Sequence, residues 1–138
     1  MSTLAALAQG AARVHGARAV IAAIDARMGE VYWGAYRVAG DTGVMAPVLE
    51  EAVGAPEAVE WPGGTGWHGV GTGWEAHGER LEAMADGRLA ANLGRALPDA
   101  RDLLPLARAA WERGEAVDAA HALPVYLRDR VADKPRQR

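Results

Sequence analysis

The apolar positions fall into runs whose periods change along the chain. Leu4, Leu7, Ala11 and Val14 recur at helical spacing behind Ser2, a good cap, and ahead of Gly16, a natural stop, which predicts a leading helix over 2–16. An apolar run from Arg18 to Asp25 predicts a buried strand, and the alternating stretch Glu30 to Val38 predicts its hairpin partner. A third extended segment, Val48 to Val53, follows the turn signal "GDTG" and Pro47. "APEAVEW" has room for at most two helical turns, and "GGTGWHGVGTGW" centres a further strand on Gly69 to Gly71. A short helix over Glu75 to Met84 and a strand in "GRLAANLG" come next. Asp102 then offers a cap for a helix with an apolar stripe of Leu103, Leu104, Ala107, Ala110 and Trp111, closed by Gly114. Pro105 fits in its first turn, where the N–H has no intrahelical partner. "ALPVYLRDR" reads as extended, and "ADKPRQR" as a charged tail that cannot pack.

Three consecutive strands followed by alternating helices and strands imply an α/β domain. Its sheet is mixed, a three-stranded antiparallel meander extended through helical crossovers and preceded by one helix. That is the ribonuclease-H-like order, shared by the lobes of actin-like (ASKHA) proteins. The expected organisation is a leading helix (1–16), the lobe (17–130) and a flexible tail (131–138).

Composition narrows the function. With 138 residues and half of them apolar, the chain can bury a core; Phe is absent, so bulk comes from five Trp, four Met and the aliphatic set. A net charge of −3 argues against a broad basic face for direct nucleic-acid binding. No Cys is present, which excludes disulfides, thiolate nucleophiles and cysteine metal sites. The apolar runs are too short to span a bilayer, and the first residues lack a secretory leader, so a cytoplasmic location is expected.

Two stretches could carry chemistry. Asp25 ends a strand before the turn Ala-Arg-Met-Gly, where ribonuclease-H-type folds often hold a metal and actin-like ATPases cradle phosphate on bare backbone. Only Gly29 remains of a glycine cradle there, because Arg27 and Met28 fill the turn. The alternative is a type I or bulged hairpin, with Asp25 accepting turn N–H bonds and Arg27 or Glu30 completing a local charge pair. "GVGTGW" could present Gly71, Thr72 and Gly73 to a phosphate at a helix start, but it matches neither GxGxxG nor a Walker A loop. It reads equally as a tight strand-to-helix turn with Trp74 plugging the core. The four His are scattered without HExxH spacing, and Ser2, the only serine, reads as a cap. No metal, cofactor or catalytic residue is called for. Trp61, Trp67 and Trp74, without interleaved basic residues, suit a core better than base stacking.

"AAIDARMGEVYWGAY", "GVGTGW", "ARDLLPLARAAWERGE" and "PVYLRDRVA", in that order, resemble the carboxy-terminal half of the TsaB family. These are bacterial tRNA threonylcarbamoyladenosine biosynthesis proteins, also catalogued as glycoprotease-like or M22-peptidase-like. The resemblance implies an actin-like fold and a non-catalytic scaffold that supports the catalytic subunit TsaD, with the ATPase TsaE joining them. It makes Asp25, Arg27, Gly29, Gly71, Thr72 and Gly73 the degenerate counterparts of a nucleotide site. Glu30, Tyr32, Trp74, Pro124, Tyr126 and Arg128 are matching structural positions. It also implies that the family's amino-terminal lobe is missing, leaving the stripe from Leu4 to Val14 partly uncovered and the chain prone to self-association. The competing expectation, from the same superfamily, is a metal- or nucleotide-dependent hydrolase or peptidase centred on Asp25.

Overall fold

A computed structural model describes residues 1–128; the charged tail and the end of "PVYLRDRVA" lie outside the described residues. The sheet is built around β1 (Ala19–Asp25), which is buried on both faces. Ala19, Ile21 and Ala23 face one apolar cluster, and Val20 and Ala22 face the other. β2 (Val31–Val38) pairs antiparallel with β1 over their full length. On the other side of β1, β5 (Trp67–Val70) pairs in parallel, and β6 (Leu89–Asn92) pairs in parallel beyond it. With β3 (Met45–Pro47) on the far side of β2, the order is β3-β2-β1-β5-β6, the ribonuclease-H-like order expected from the sequence.

The third extended segment differs from expectation. Instead of one strand over 48–53, β2 is flanked by β3 and then by β4 (Ala52–Gly54). Tyr36 pairs with Pro47 and Trp33 with Ala52, so Gly34 and Ala35 of β2 face the four residues Val48 to Glu51. The surplus bulges outward and turns the Glu51 carboxylate onto the Tyr36 hydroxyl. Gly34 is required there, because a Cβ would come within 2.8 Å of the Tyr36 hydroxyl oxygen.

The leading helix α1 (Thr3–His15) lies on one face of the sheet, capped by Ser2 Oγ accepting from the Ala5 N–H (3.1 Å) and ended by left-handed Gly16. Leu4, Leu7 and Ala11 are buried within this chain and Val14 is exposed, so the stripe expected to be partly uncovered is open only at its carboxyl end. Gln9 is buried among them: its Oε1 accepts from the Met45 N–H (2.9 Å) and its Nε2 donates to the Gly43 carbonyl (3.0 Å). It thereby satisfies the buried Met45 N–H at the sheet edge and ties the Gly43 turn to α1.

α2 (Thr72–Ala83) covers the opposite face and starts three residues earlier than the periodicity predicts. It forms the β5–β6 crossover, whereas β4 reaches β5 through one 3₁₀ turn (Pro56–Ala58) and loop, without the helical crossover expected there. α3 (Leu103–Glu112) packs beside α1. Asp102 does not cap it: its backbone is helical, and its buried carboxylate takes a two-pronged pair from Arg13 (2.7 and 2.9 Å). Gly10 allows this approach, since a Cβ there would meet the Asp102 carboxylate at 2.9 Å. The α3 stripe is also rotated from expectation, with Leu106 buried and Leu104 and Trp111 exposed, because the Asp102 pair fixes which side faces α1. "ALPVYLRDR" is irregular rather than a strand as far as it is described. Among the described residues, no helix is long and apolar enough to cross a membrane.

Trp74 locks α2 to the sheet. Its indole N–H donates to the Ile21 carbonyl (2.9 Å), and its ring meets Trp61 edge-on at 6.1 Å. A Cβ on Gly69 would fall inside that ring. Trp74→Ala is expected to cost about 3–5 kcal/mol, and Gly69→Ala about 1–3 kcal/mol by overpacking. Urea denaturation of both single variants and the double should show the Gly69→Ala penalty largely vanishing once the indole is gone. Simple additivity would contradict the clash.

A closed candidate phosphate site

The carboxyl end of β1, the β1–β2 turn and the start of α2 meet at one corner of the sheet. This brings together Asp25, Arg27, Gly29, Gly71, Thr72 and Gly73. The Asp25 N–H donates to Thr72 Oγ1 (3.1 Å), and the Arg27 N–H donates to Asp25 Oδ1 (3.2 Å). The turn is not type I, because Arg27, Met28 and Gly29 all have positive φ (65°, 55° and 75°). Its closure is made by the Ala26 N–H to the Glu30 carbonyl (2.9 Å) and the Glu30 N–H to the Arg27 carbonyl (3.0 Å). Left-handed backbone at Arg27 and Met28 costs about 1–2 kcal/mol each, so something must hold the loop in place.

Arg128 does so from about a hundred residues away. Its Nη1 donates to the Ala26 carbonyl (2.9 Å), its Nη2 pairs with the Glu30 carboxylate, and its guanidinium lies 5.6 Å from the Tyr32 ring centre. Both ends of the strained loop are thus gripped by one planar cation. Charge-assisted bonds of this kind contribute about 1.5–3 kcal/mol, enough to offset much of the turn's strain. The sequence raised Glu30 as a charge partner; the structure supplies Arg128 as the other half.

The glycines of "GVGTGW" are used in packing. Gly71 has φ 114°, and a Cβ on it would strike the Ala23 carbonyl; at Gly73 a Cβ would come within 2.9 Å of the Ala23 backbone and side chain. The Gly71 N–H is already donated to the Gly94 carbonyl (3.0 Å). α2 can therefore rest directly on β1, with the Cα atoms of Gly71 and Gly73 against Ala23. Gly29, whose Cβ would meet nothing, is needed only for its φ.

His77 is a participant that sequence reasoning missed. Its backbone leaves helical geometry (φ −134°, ψ 22°), and this kink puts Nε2 at 3.4 Å from Asp25 Oδ1. Nothing in the spacing of Asp25 and His77 signals their contact; it depends on how α2 crosses β1. Among the described residues, no three His, Asp or Glu side chains converge as a metal site would require. A carboxylate beside the first turns of α2 also places negative charge where a bound anion would otherwise be favoured.

The family-motif positions divide. Glu30, Tyr32 and Arg128 come together, and Trp74 is buried on the opposite face of the sheet. Pro124 and Tyr126 stand exposed. Near the Arg128 clasp, Glu51 accepts hydrogen bonds from both the Ser2 and Tyr36 hydroxyls. Burial first, and the neighbouring Glu51 carboxylate second, push the Tyr36 phenol well above its ordinary ionisation range.

The fold defines an actin-like lobe, and at this corner the β1–β2 hairpin is bonded to side chains of the same chain. No protein-family model matches the chain. It is 43% identical over 144 aligned residues to the tRNA threonylcarbamoyladenosine biosynthesis protein TsaB of Escherichia coli, covering 97% of this chain and 58% of that protein. It is 35% identical, with the same coverages, to TsaB of Haemophilus influenzae. Over this span the chain is similar to the TsaB proteins, and it covers a little more than half the length of those relatives. Among solved structures, YeaZ from Pseudomonas aeruginosa superimposes with a TM-score of 0.81 at 50% identity, over 92% of this chain and 57% of that one. A second structure, of a protein described as similar to the peptidase YeaZ from Pseudomonas aeruginosa, gives 0.82 at 50% identity over 93% and 57%.

The Tyr36 environment sets a pH dependence. In the unfolded chain the phenol ionises near its ordinary value of 10.0, whereas the folded state resists ionisation to higher pH. The contribution is therefore intact below about pH 10 and lost as pH rises beyond it, by up to about 1.4 kcal/mol per pH unit. Denaturation at pH 9 and pH 11 should show the wild type losing stability relative to Tyr36→Phe; parallel losses in both would contradict this.

Proposed function

We propose that this chain is the part of a TsaB-type protein that serves tRNA threonylcarbamoyladenosine synthesis as a non-catalytic scaffold, supporting TsaD within an assembly that TsaE joins. One observation carries the reading: the corner where an actin-like ATPase would grip phosphate is occupied by its own side chains. Asp25 is bonded to the turn and approached by His77, the loop is clasped by Arg128, and the Gly71 and Gly73 backbone is pressed against Ala23. The names of the relatives supply the pathway, and they belong to longer proteins. A surface kept without open chemistry suits a protein that works by being bound. The Asp25-centred hydrolase has no comparable observation in its favour, since Asp25 is engaged by the turn and by His77.

The test is replacement in bacteria depleted of their own TsaB, using a TsaB in which this chain forms the matching segment. Asp25→Ala in that protein is expected to leave threonylcarbamoyladenosine in tRNA within about twofold of the unsubstituted level, and TsaD should still co-purify with it. Loss of the modification with TsaD binding intact would assign chemistry to Asp25 and contradict the scaffold reading. Failure of the unsubstituted protein to retain TsaD would contradict it as well.

A further inference from the structure

α3 is fastened to the rest of the molecule at few points. Of its ten residues Leu106 alone is buried, and it joins the apolar cluster that contains Leu7 and Ala11 of α1. Leu103, at the start of the helix, and Ala96, before it, are half-buried against the same cluster. The polar tie is the two-pronged pair between Arg13 and Asp102, in which the carboxylate side chain is 4% exposed and the guanidinium side chain 42%. The chain leaves the sheet for α3 at Gly94, whose carbonyl accepts from the Gly71 N–H and whose own N–H donates to Asn92 Oδ1 (2.8 Å). Among the described residues, Arg95 to Pro98 make no backbone hydrogen bond, and Arg95 meets Glu75 only at the surface (3.8 Å). Beyond the helix, Gly114 is followed by an exposed stretch from Glu115 to Tyr126. Gly94 and Gly114 both have left-handed backbone (φ 66° and 73°), from which glycine turns without a Cβ penalty.

We propose that α3 is a strap that opens from α1 as one unit, turning at Gly94 and Gly114 while α1, α2 and the sheet stay folded, and that the Arg13–Asp102 pair is the latch that holds it shut. Opening uncovers Leu106 and part of Leu103, far less apolar surface than unfolding the sheet around β1, so it lies well below global unfolding in free energy. It also returns both charges to water together. Removing one partner from the shut state instead leaves Asp102 buried without its cation, an arrangement that opening relieves. The strap therefore answers loss of the pair by swinging out, with the sheet still folded. Gly10 belongs to the latch: it lies on α1 where a Cβ would stand 2.9 Å from Asp102 Oδ2. Alanine is the better helix former at that interior position, so Gly10→Ala strengthens α1 while pushing the carboxylate off its seat. One substitution thus separates the strength of α1 from the hold of the latch.

Hydrogen exchange followed by NMR on the full chain tells the strap from the body. The amides of Ala107 to Glu112, bonded within α3, are expected to be protected, yet to exchange well before those of Ile21 to Ala23 in β1. Their exchange should depend little on low concentrations of urea, as an opening that exposes little surface requires. Arg13→Met should speed exchange across α3 by about tenfold to a hundredfold, the factor one charge-assisted pair is worth, while Ile21 to Ala23 stay protected. Gly10→Ala should speed α3 exchange as well, although it strengthens α1. Failure of either substitution to speed it overturns the proposal, because the opening then does not break the pair. Wild-type α3 amides that exchange only together with those of β1 overturn it too, as do α3 amides with no protection at all.

Discussion

The closeness of α2 to β1 is the constraint on which the rest depends. A helix normally rests on a sheet at the distance set by its side chains, but here Gly71 and Gly73 let the backbone of α2 come down onto Ala23. That approach brings Thr72 Oγ1 to the Asp25 N–H and the Trp74 indole N–H to the Ile21 carbonyl. It also sets Trp74 against Trp61 and over Gly69, so that one face of the core is organised around a single indole. On the α2 face β1 can be covered at this range because Gly71, just before the helix, and Gly73, within it, carry no Cβ to strike Ala23.

The same geometry shapes the corner where the hairpin meets α2. In a phosphate cradle, bare backbone N–H groups must face outward with a positive helix end behind them. Here the Cα atoms of Gly71 and Gly73 sit against Ala23, the Gly71 N–H is committed to Gly94, and the Asp25 carboxylate lies against His77 in the second turn of α2. The hairpin tip carries two non-glycine residues in left-handed conformation, and Arg128 grips the loop on either side of them. Strain at one site is thus balanced by a contact contributed from the other end of the described chain. That gives the arginine of the "YLR" triplet a mechanical role independent of any bound ligand.

Much of this was legible in the sequence where local signals agree with tertiary packing. Ser2 and Gly16 bracket α1, the alternation from Val31 marks β2, and the Asp25-to-Gly29 turn lies where the apolar run breaks. The ordered motifs also led to the family. Reading failed where long-range contacts decide local structure. Asp102 looks like a cap and is instead the buried partner of Arg13, and that pair rotates the stripe of α3. The bulge at Val48–Glu51 follows from the seat of Tyr36 over Gly34, which no periodicity encodes. His77 meets Asp25 only through a kink in α2, and Arg128 meets Glu30 across 98 residues of chain. "ALPVYLR" has strand-like composition but pairs with no strand as far as it is described, and it runs outside the sheet.

Thermal unfolding with and without saturating ATP and Mg²⁺ tests most directly whether the corner is closed, because any ligand that binds only the folded state raises its melting temperature. A closed corner gives the same melting temperature in both conditions. A rise that disappears in Asp25→Ala would show that the hairpin still receives a nucleotide, and would contradict the closed arrangement.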